Sequence, residues 1–164
     1  MDAVTEKEIR ASFVNATKGE ARRLGMPRDL LERSWEDSAQ LAWLDPKSPL
    51  SGYLVMPTTD GLVGVQLRRS ANDGSSRRAR MCALCATTHS AQGAALMVAP
   101  RAGKAGRDGN TVGLEMCAAL ECEQYARGLL KPPGANFVKE TLSVDERVDR
   151  LRRNALAFVH RVMS

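Results

Sequence analysis

All four cysteines fall in one stretch, as Cys82-Ala-Leu-Cys85 and Cys117-Ala-Ala-Leu-Glu-Cys122. A Cys-x2-Cys pair in a tight turn can aim two sulfurs at one metal while turn amides donate hydrogen bonds to them. The second pair stands just before a helical segment, whose N-terminal amides favour thiolate. Four soft donors in two close pairs suit one structural Zn2+, bound tetrahedrally with no open position for water or substrate. Cys82, Cys85, Cys117 and Cys122 are therefore the expected zinc ligands. Four buried reduced thiols, or a labile disulfide, are the competing reading. His89, four residues after Cys85, could stand in for a cysteine, but it reads as a loop histidine. His160 reads as a surface or packing residue of the last helix.

Little else in the chain suggests catalysis. There are only two histidines, and no Ser-His-Asp, Cys-His, HExxH or P-loop arrangement is visible. A binding protein is expected rather than an enzyme, with no small-molecule substrate. No stretch approaches the ~20 apolar residues of a membrane span, and Met1-Asp2-Ala3-Val4-Thr5-Glu6 lacks the basic start and apolar run of a secretory signal. A cytoplasmic location is expected, where a reducing environment favours metal binding over disulfides.

Charge is unevenly distributed. Residues 1–44 carry seven basic and eight acidic side chains, close to neutrality. Residues 68–112 carry eight basic side chains against Asp73 and Asp108, a local excess larger than the +5 of the whole chain. Such an asymmetry points to an acidic partner met near the cysteines. The candidate partner-binding residues are Arg77, Arg78, Arg80, Arg101, Lys104 and Arg107, with Tyr125 and Arg127 just beyond Cys122. Arginine suits this role because its planar donors match carboxylate or phosphate geometry.

The elements that must carry these residues form an α+β pattern. Thr5-Glu6-Lys7-Glu8 fits a capping box, and Ile9, Phe13 and Ala16 continue a helix stopped by Gly25 and Pro27. A second helix is expected from Pro27 to just before Pro46, with Leu31, Trp35, Ser38 and Ala42 on one side. Residues 1–45 thus read as a short N-terminal helical region and 46–164 as the zinc-finger domain. In that domain, residues 52–56 and 62–67 read as a hairpin of strands joined through Asp60-Gly61. Residues 70–76 read as a polar loop. Two further strands, 94–99 and 111–116, flank a glycine-rich basic loop from Pro100 to Asn110. A short helix is expected over Glu123–Leu130. The clearest helix comes last, opened by Ser143-Val144-Asp145-Glu146 and lined by Val148, Leu151, Ala155, Phe158 and Val162. A small antiparallel sheet, a knuckle, a hairpin and a ligand pair leading into a helix is the plan of a treble-clef finger. The quartet is expected to fix the root of the basic loop and of the short helix so that a partner can read them.

Several linked motifs resemble the FBP family. They are the Cys-x2-Cys, the basic glycine-rich loop, Thr111-Val112-Gly113, the Cys-x4-Cys and Tyr125-Ala126-Arg127-Gly128. The resemblance reaches back through residues 43–49 and Tyr53-Leu54-Val55, and forward to residues 140–147, covering roughly residues 40–160. Members carry the treble-clef domain found at the C-terminus of FusB-type elongation factor G-binding proteins. The resemblance implies a zinc set matching Cys82, Cys85, Cys117 and Cys122. It also implies binding to elongation factor G on the ribosome, which in resistance proteins releases the factor and protects translation from fusidic acid. Those proteins have a longer helical domain ahead of the zinc domain than the roughly 45 residues found here. A shorter relative is expected to bind the factor, the ribosome or both. The alternative is a treble-clef protein that binds ribosomal or other RNA without elongation factor G activity. Aromatics at 4% weaken that alternative, because single-strand binders offer several stacking rings.

Overall fold

The computed structural model describes residues 1–70, 78–131 and 140–164. The expected loop at 70–76 lies almost wholly outside them, as does Arg77. The chain opens with α1 (Glu6–Ser12) and α2 (Lys18–Arg23), each closed at its start by a capping box, Thr5 with Glu8 and Thr17 with Glu20. The single helix expected from Thr5 onward is thus two. It breaks because Phe13 turns extended and bridges Gly64, to whose carbonyl the Val14 amide donates at 2.9 Å. Gly64 permits the approach: a Cβ there would lie 2.5 Å from Ser12 Oγ and 3.2 Å from the Phe13 ring.

The second expected helix is absent. Residues after Pro27 form short turns, and Leu41–Asp45 is a strand, β1. Leu41, Trp43 and Asp45 are buried while Ala42 and Leu44 between them are half-buried, a period of two. Leu31, placed on the apolar face of the expected helix, is 97% exposed. The helical spacing of Leu31, Trp35, Ser38 and Ala42 is coincidental. A run as short as 41–45 carries too few residues for periodicity to tell strand from helix.

The remaining strands follow the sequence pattern. β2 (Ser48–Thr58) and β3 (Gly61–Arg69) form a hairpin, with Gly61 at φ +114°. The turn from β1 to β2 spans Asp45–Ser48, so the sheet begins before residue 46. A separate ribbon, β4 (Arg80–Met81) and β5 (Thr88–His89), comes next. β6 (Ala94–Pro100) and β7 (Thr111–Cys117) complete a five-stranded antiparallel sheet of order β1-β2-β3-β6-β7. The β6–β7 connection, expected to be a loop, contains one helical turn, α3 (Gly103–Arg107). Gly106 makes it possible, since a Cβ there would lie 1.8 Å from the Arg101 carbonyl oxygen. α4 (Cys122–Ala126) ends sooner than expected because Gly128 takes a left-handed φ of +71°. α5 (Val144–Met163) starts at its predicted cap, Ser143 with Glu146.

The sheet separates two apolar layers, as alternation along β2 requires. Tyr53 and Val55 face α1 and α2 with Ile9, Leu24, Leu41 and Trp43. Leu54 and Met56 join Val65, Leu67 and Met97 beneath α5, whose Leu151, Ala155, Phe158 and Val162 are fully buried. Within the first layer the buried Asp45 carboxylate accepts hydrogen bonds from the Tyr53 hydroxyl, the Gly25 amide and the Lys47 amide, at 2.8–2.9 Å. Burial pushes its pKa up, but these bonds outweigh burial and hold it below the usual carboxylate range.

Candidate metal centre

The Cys82–Cys85 knuckle caps the β4–β5 ribbon. The Cys82 amide donates to Thr87 O at 2.9 Å and the Ala86 amide to Cys82 O at 2.8 Å. Cys117 is the last residue of β7, and Cys122 the first of α4. Between them the chain doubles back, with the Leu120 amide donating to Cys117 O at 2.9 Å. Ala86 and Leu120 both sit at positive φ, +61° and +60°. A non-glycine residue held in that region stores strain, and each instance here borders a cysteine pair.

All four sulfurs are buried and lie within 4.8 Å of one another. Cys82 Sγ is 3.6 Å from Cys122 Sγ, and Cys85 Sγ is 3.5 Å from Cys117 Sγ. A tetrahedron with Zn–S bonds of ~2.3 Å sets its sulfurs about 3.8 Å apart, so the cage fits one zinc ion. Thiols packed this closely share protons unevenly. Cys82 and Cys85 are pulled below the ordinary thiol range, each chiefly by hydrogen bonding with Cys117. Cys122 is pushed well above it, again chiefly through Cys117. A divalent cation resolves this crowding by stabilising all four as thiolates.

Two further groups hold the cage. Arg150 and Asn154, one turn apart on α5, donate to Cys85 O and Leu84 O at 3.0 Å each. His89 is 1% exposed and its Nε2 lies 3.2 Å from Cys117 Sγ. Its ring stands edge-on to Tyr125, centroids 4.9 Å apart at 88°. The loop histidine expected from the sequence is therefore a buried residue of β5 whose Nε2 lies against a ligand sulfur, to which it donates when Cys117 is a thiolate. Its Nδ1 has no hydrogen-bond partner among the described residues. The sequence carries no specific signal for this role. The i, i+4 placement of Arg150 and Asn154 beside the buried stripe of α5 was the available clue to theirs.

A knuckle, a hairpin, and a ligand pair running from a strand end into a helix together make a treble clef. Residues 8–162 match the FBP C-terminal treble-clef zinc-finger family. The chain belongs to that family. Neither the curated proteins nor the solved structures compared with it gave a match. Among the described residues no helix is long and apolar enough to cross a membrane.

The expected partner-binding residues of this FBP domain fall into two groups. Arg78, Arg80, Tyr125 and Arg127 lie near the cage. Arg80 pairs with Glu115 at 3.3 Å and Arg127 with Glu123 at 3.0 Å, so both are engaged within the fold. Arg101, Lys104 and Arg107 lie at the opposite end of the β6–β7 hairpin. β7 runs from Thr111 to Cys117, which separates them from the cage by about 20 Å at the usual rise per residue. The metal centre thus roots α4 but not the basic segment. That segment is anchored by α5: the Ala102 amide donates to Val162 O at 2.7 Å and Arg101 Nη1 to Arg161 O at 2.8 Å. Asn15 adds a tie to Pro100 O at 3.0 Å.

Proposed function

We propose that this FBP-family protein is a zinc-stabilised binding protein of the translation machinery, docking on elongation factor G alone or on the ribosome through the basic corner at α3. The observation that carries this reading is the presentation of that corner. The Lys104 side chain is 82% exposed even while it pairs with Asp108 at 2.6 Å, an exposed contact that an acidic partner can replace, and Arg107 is exposed, on a helical turn pinned at its root by backbone hydrogen bonds. Cations on a rigid support lose little freedom on meeting carboxylates, which favours recognition of an acidic surface. Membership of the FBP family supports the choice of partner. The zinc acts at a distance, by holding the second half of the sheet and α4 together. With four sulfur ligands it offers no open position for a substrate, and no catalytic step is assigned to it.

Co-migration of the purified protein with elongation factor G, with and without ribosomes, tests the proposal. Lys104→Glu with Arg107→Glu should weaken the complex while leaving zinc content unchanged; Arg101 is spared because its guanidinium holds Arg161 O. A complex insensitive to both reversals would overturn the assignment of this corner. Retention on ribosomal RNA with a steep loss of affinity in salt, and no complex with the factor, would establish the RNA-binding alternative.

A further inference from the structure

A cleft lies beside the metal centre, lined in part by Ala119, Leu120 and Glu121 of the Cys117–Cys122 loop. It encloses about 440 Å³ between residues 33–42 and the loop leading into α4. Gln40 contributes to its lining and is 2% exposed. Neither its Nε2 nor its Oε1 has a partner among the described residues. Buried primary amides almost always satisfy both ends, so an amide orphaned at both ends beside a cavity calls for a guest.

The rim defines the guest's charge. Asp37 and Glu121 line the cleft and make no ion pair among the described residues. The two cations in the wall are already engaged, Arg33 with Asp29 at 2.9 Å and Arg127 with Glu123 at 3.0 Å. Uncompensated carboxylates therefore stand over the cleft in a chain whose net charge is +5. Leu129, 73% exposed at the mouth, and the buried Leu120 add apolar surface.

We infer that this cleft binds an extended peptide segment carrying a lysine or arginine. A peptide group presents one C=O and one N–H side by side. By a rotation of the Gln40 side chain toward the cleft, the C=O accepts from Nε2 and the N–H donates to Oε1. The cationic side chain meets Asp37 and Glu121, and its alkyl stem lies along Leu129. Nucleic acid is disfavoured because its phosphates would meet those same carboxylates. The zinc shapes one wall, since Leu120 and Glu121 belong to the loop between two ligands. The cleft differs in charge and location from the α3 corner and does not depend on the role proposed for it.

The test titrates pools of blocked pentapeptides into the full-length, zinc-loaded, 15N-labelled protein. The pools carry lysine, norleucine or glutamate at the central position. Saturable shifts of the Gln40 side-chain NH2 and the Glu121 amide are expected with the lysine pool. Its affinity should exceed that of the norleucine pool by about tenfold, the equivalent of one exposed charge-assisted contact made by two carboxylates. Gln40→Leu should weaken binding of both pools. Asp37→Asn with Glu121→Gln, at an exposed and a half-buried position and each nearly isosteric, should leave the fold intact and erase the preference for lysine. No saturable shift at Gln40 with any pool would overturn the inference. So would equal binding of lysine and glutamate pools, displacement of the lysine pool by an RNA oligonucleotide, or binding unaffected by either variant.

Discussion

Replacing His89 with Phe isolates the contribution of one hydrogen bond to the metal centre. His89 Nε2 lies 3.2 Å from Cys117 Sγ, and its ring packs edge-on against Tyr125. Phenylalanine keeps a ring in that slot and removes the donor. A hydrogen bond to an ionised acceptor contributes about 1.5–3 kcal/mol. At 1.4 kcal/mol per decade this corresponds to a roughly 10- to 100-fold rise in the zinc dissociation constant, the range found when groups supporting metal ligands are removed. The orphaned Nδ1 is lost in the same substitution, which offsets part of the cost and places the expected rise at about tenfold. Competition against a chromophoric zinc chelator, with metal content measured alongside, reads the effect. Affinity unchanged from the parent would refute the donor role. Failure to load one zinc per chain even at saturating metal would refute it differently, by making His89 a ligand.

Other perturbations follow from the packing. Gly106→Ala should displace α3, because its Cβ meets a backbone oxygen at 1.8 Å that no rotamer can relieve; a loss of about 1–3 kcal/mol in denaturant unfolding is expected with zinc stoichiometry preserved. Phe158→Ala, fully buried under the sheet, should cost about 3–5 kcal/mol in the same measurement. Glu8, Glu20 and Glu146 are held below 4.5 by hydrogen bonds from Thr5, Thr17 and Ser143. Their contribution is complete above that value and is lost as pH falls through the depressed native range. Glu146→Gln should therefore flatten the acid limb of a thermal-melt profile; an unchanged limb would count against the cap.

Much of the fold was legible where one face of an element is buried and long enough to show its period. α5, β3 and the β6–β7 hairpin emerged with their boundaries nearly right, whereas β2, expected over 52–56, runs from Ser48 to Thr58. The cysteine quartet was legible because ligand type and spacing are set by metal geometry rather than by tertiary context. What escaped was local structure fixed by distant partners. β1 could not be told from helix over five residues, and its strand character comes from pairing with β2 and burial of Trp43 and Asp45. The break after Ser12 depends on Gly64, 52 residues away. The role of His89 depends on strand β5 delivering it to Cys117. The separation of the basic segment from the cage was also hidden, because their proximity in sequence conceals the full length of β7.

The ligand order has a consequence for biosynthesis. The two ligand pairs stand on opposite sides of the β6–β7 hairpin, so the cage cannot close until Cys122 has been made, whereas β1, β2 and β3 pair through short connections well before Cys82 emerges. Local pairing closes quickly and distant closure slowly. The N-terminal meander should therefore gain protection first in pulse-labelled refolding, the knuckle second on metal capture, and α5 last, when Arg150 and Asn154 reach Cys85 and Leu84. Metal supply would then act as a checkpoint late in the maturation of the chain, after three of the five strands of its sheet are already in place.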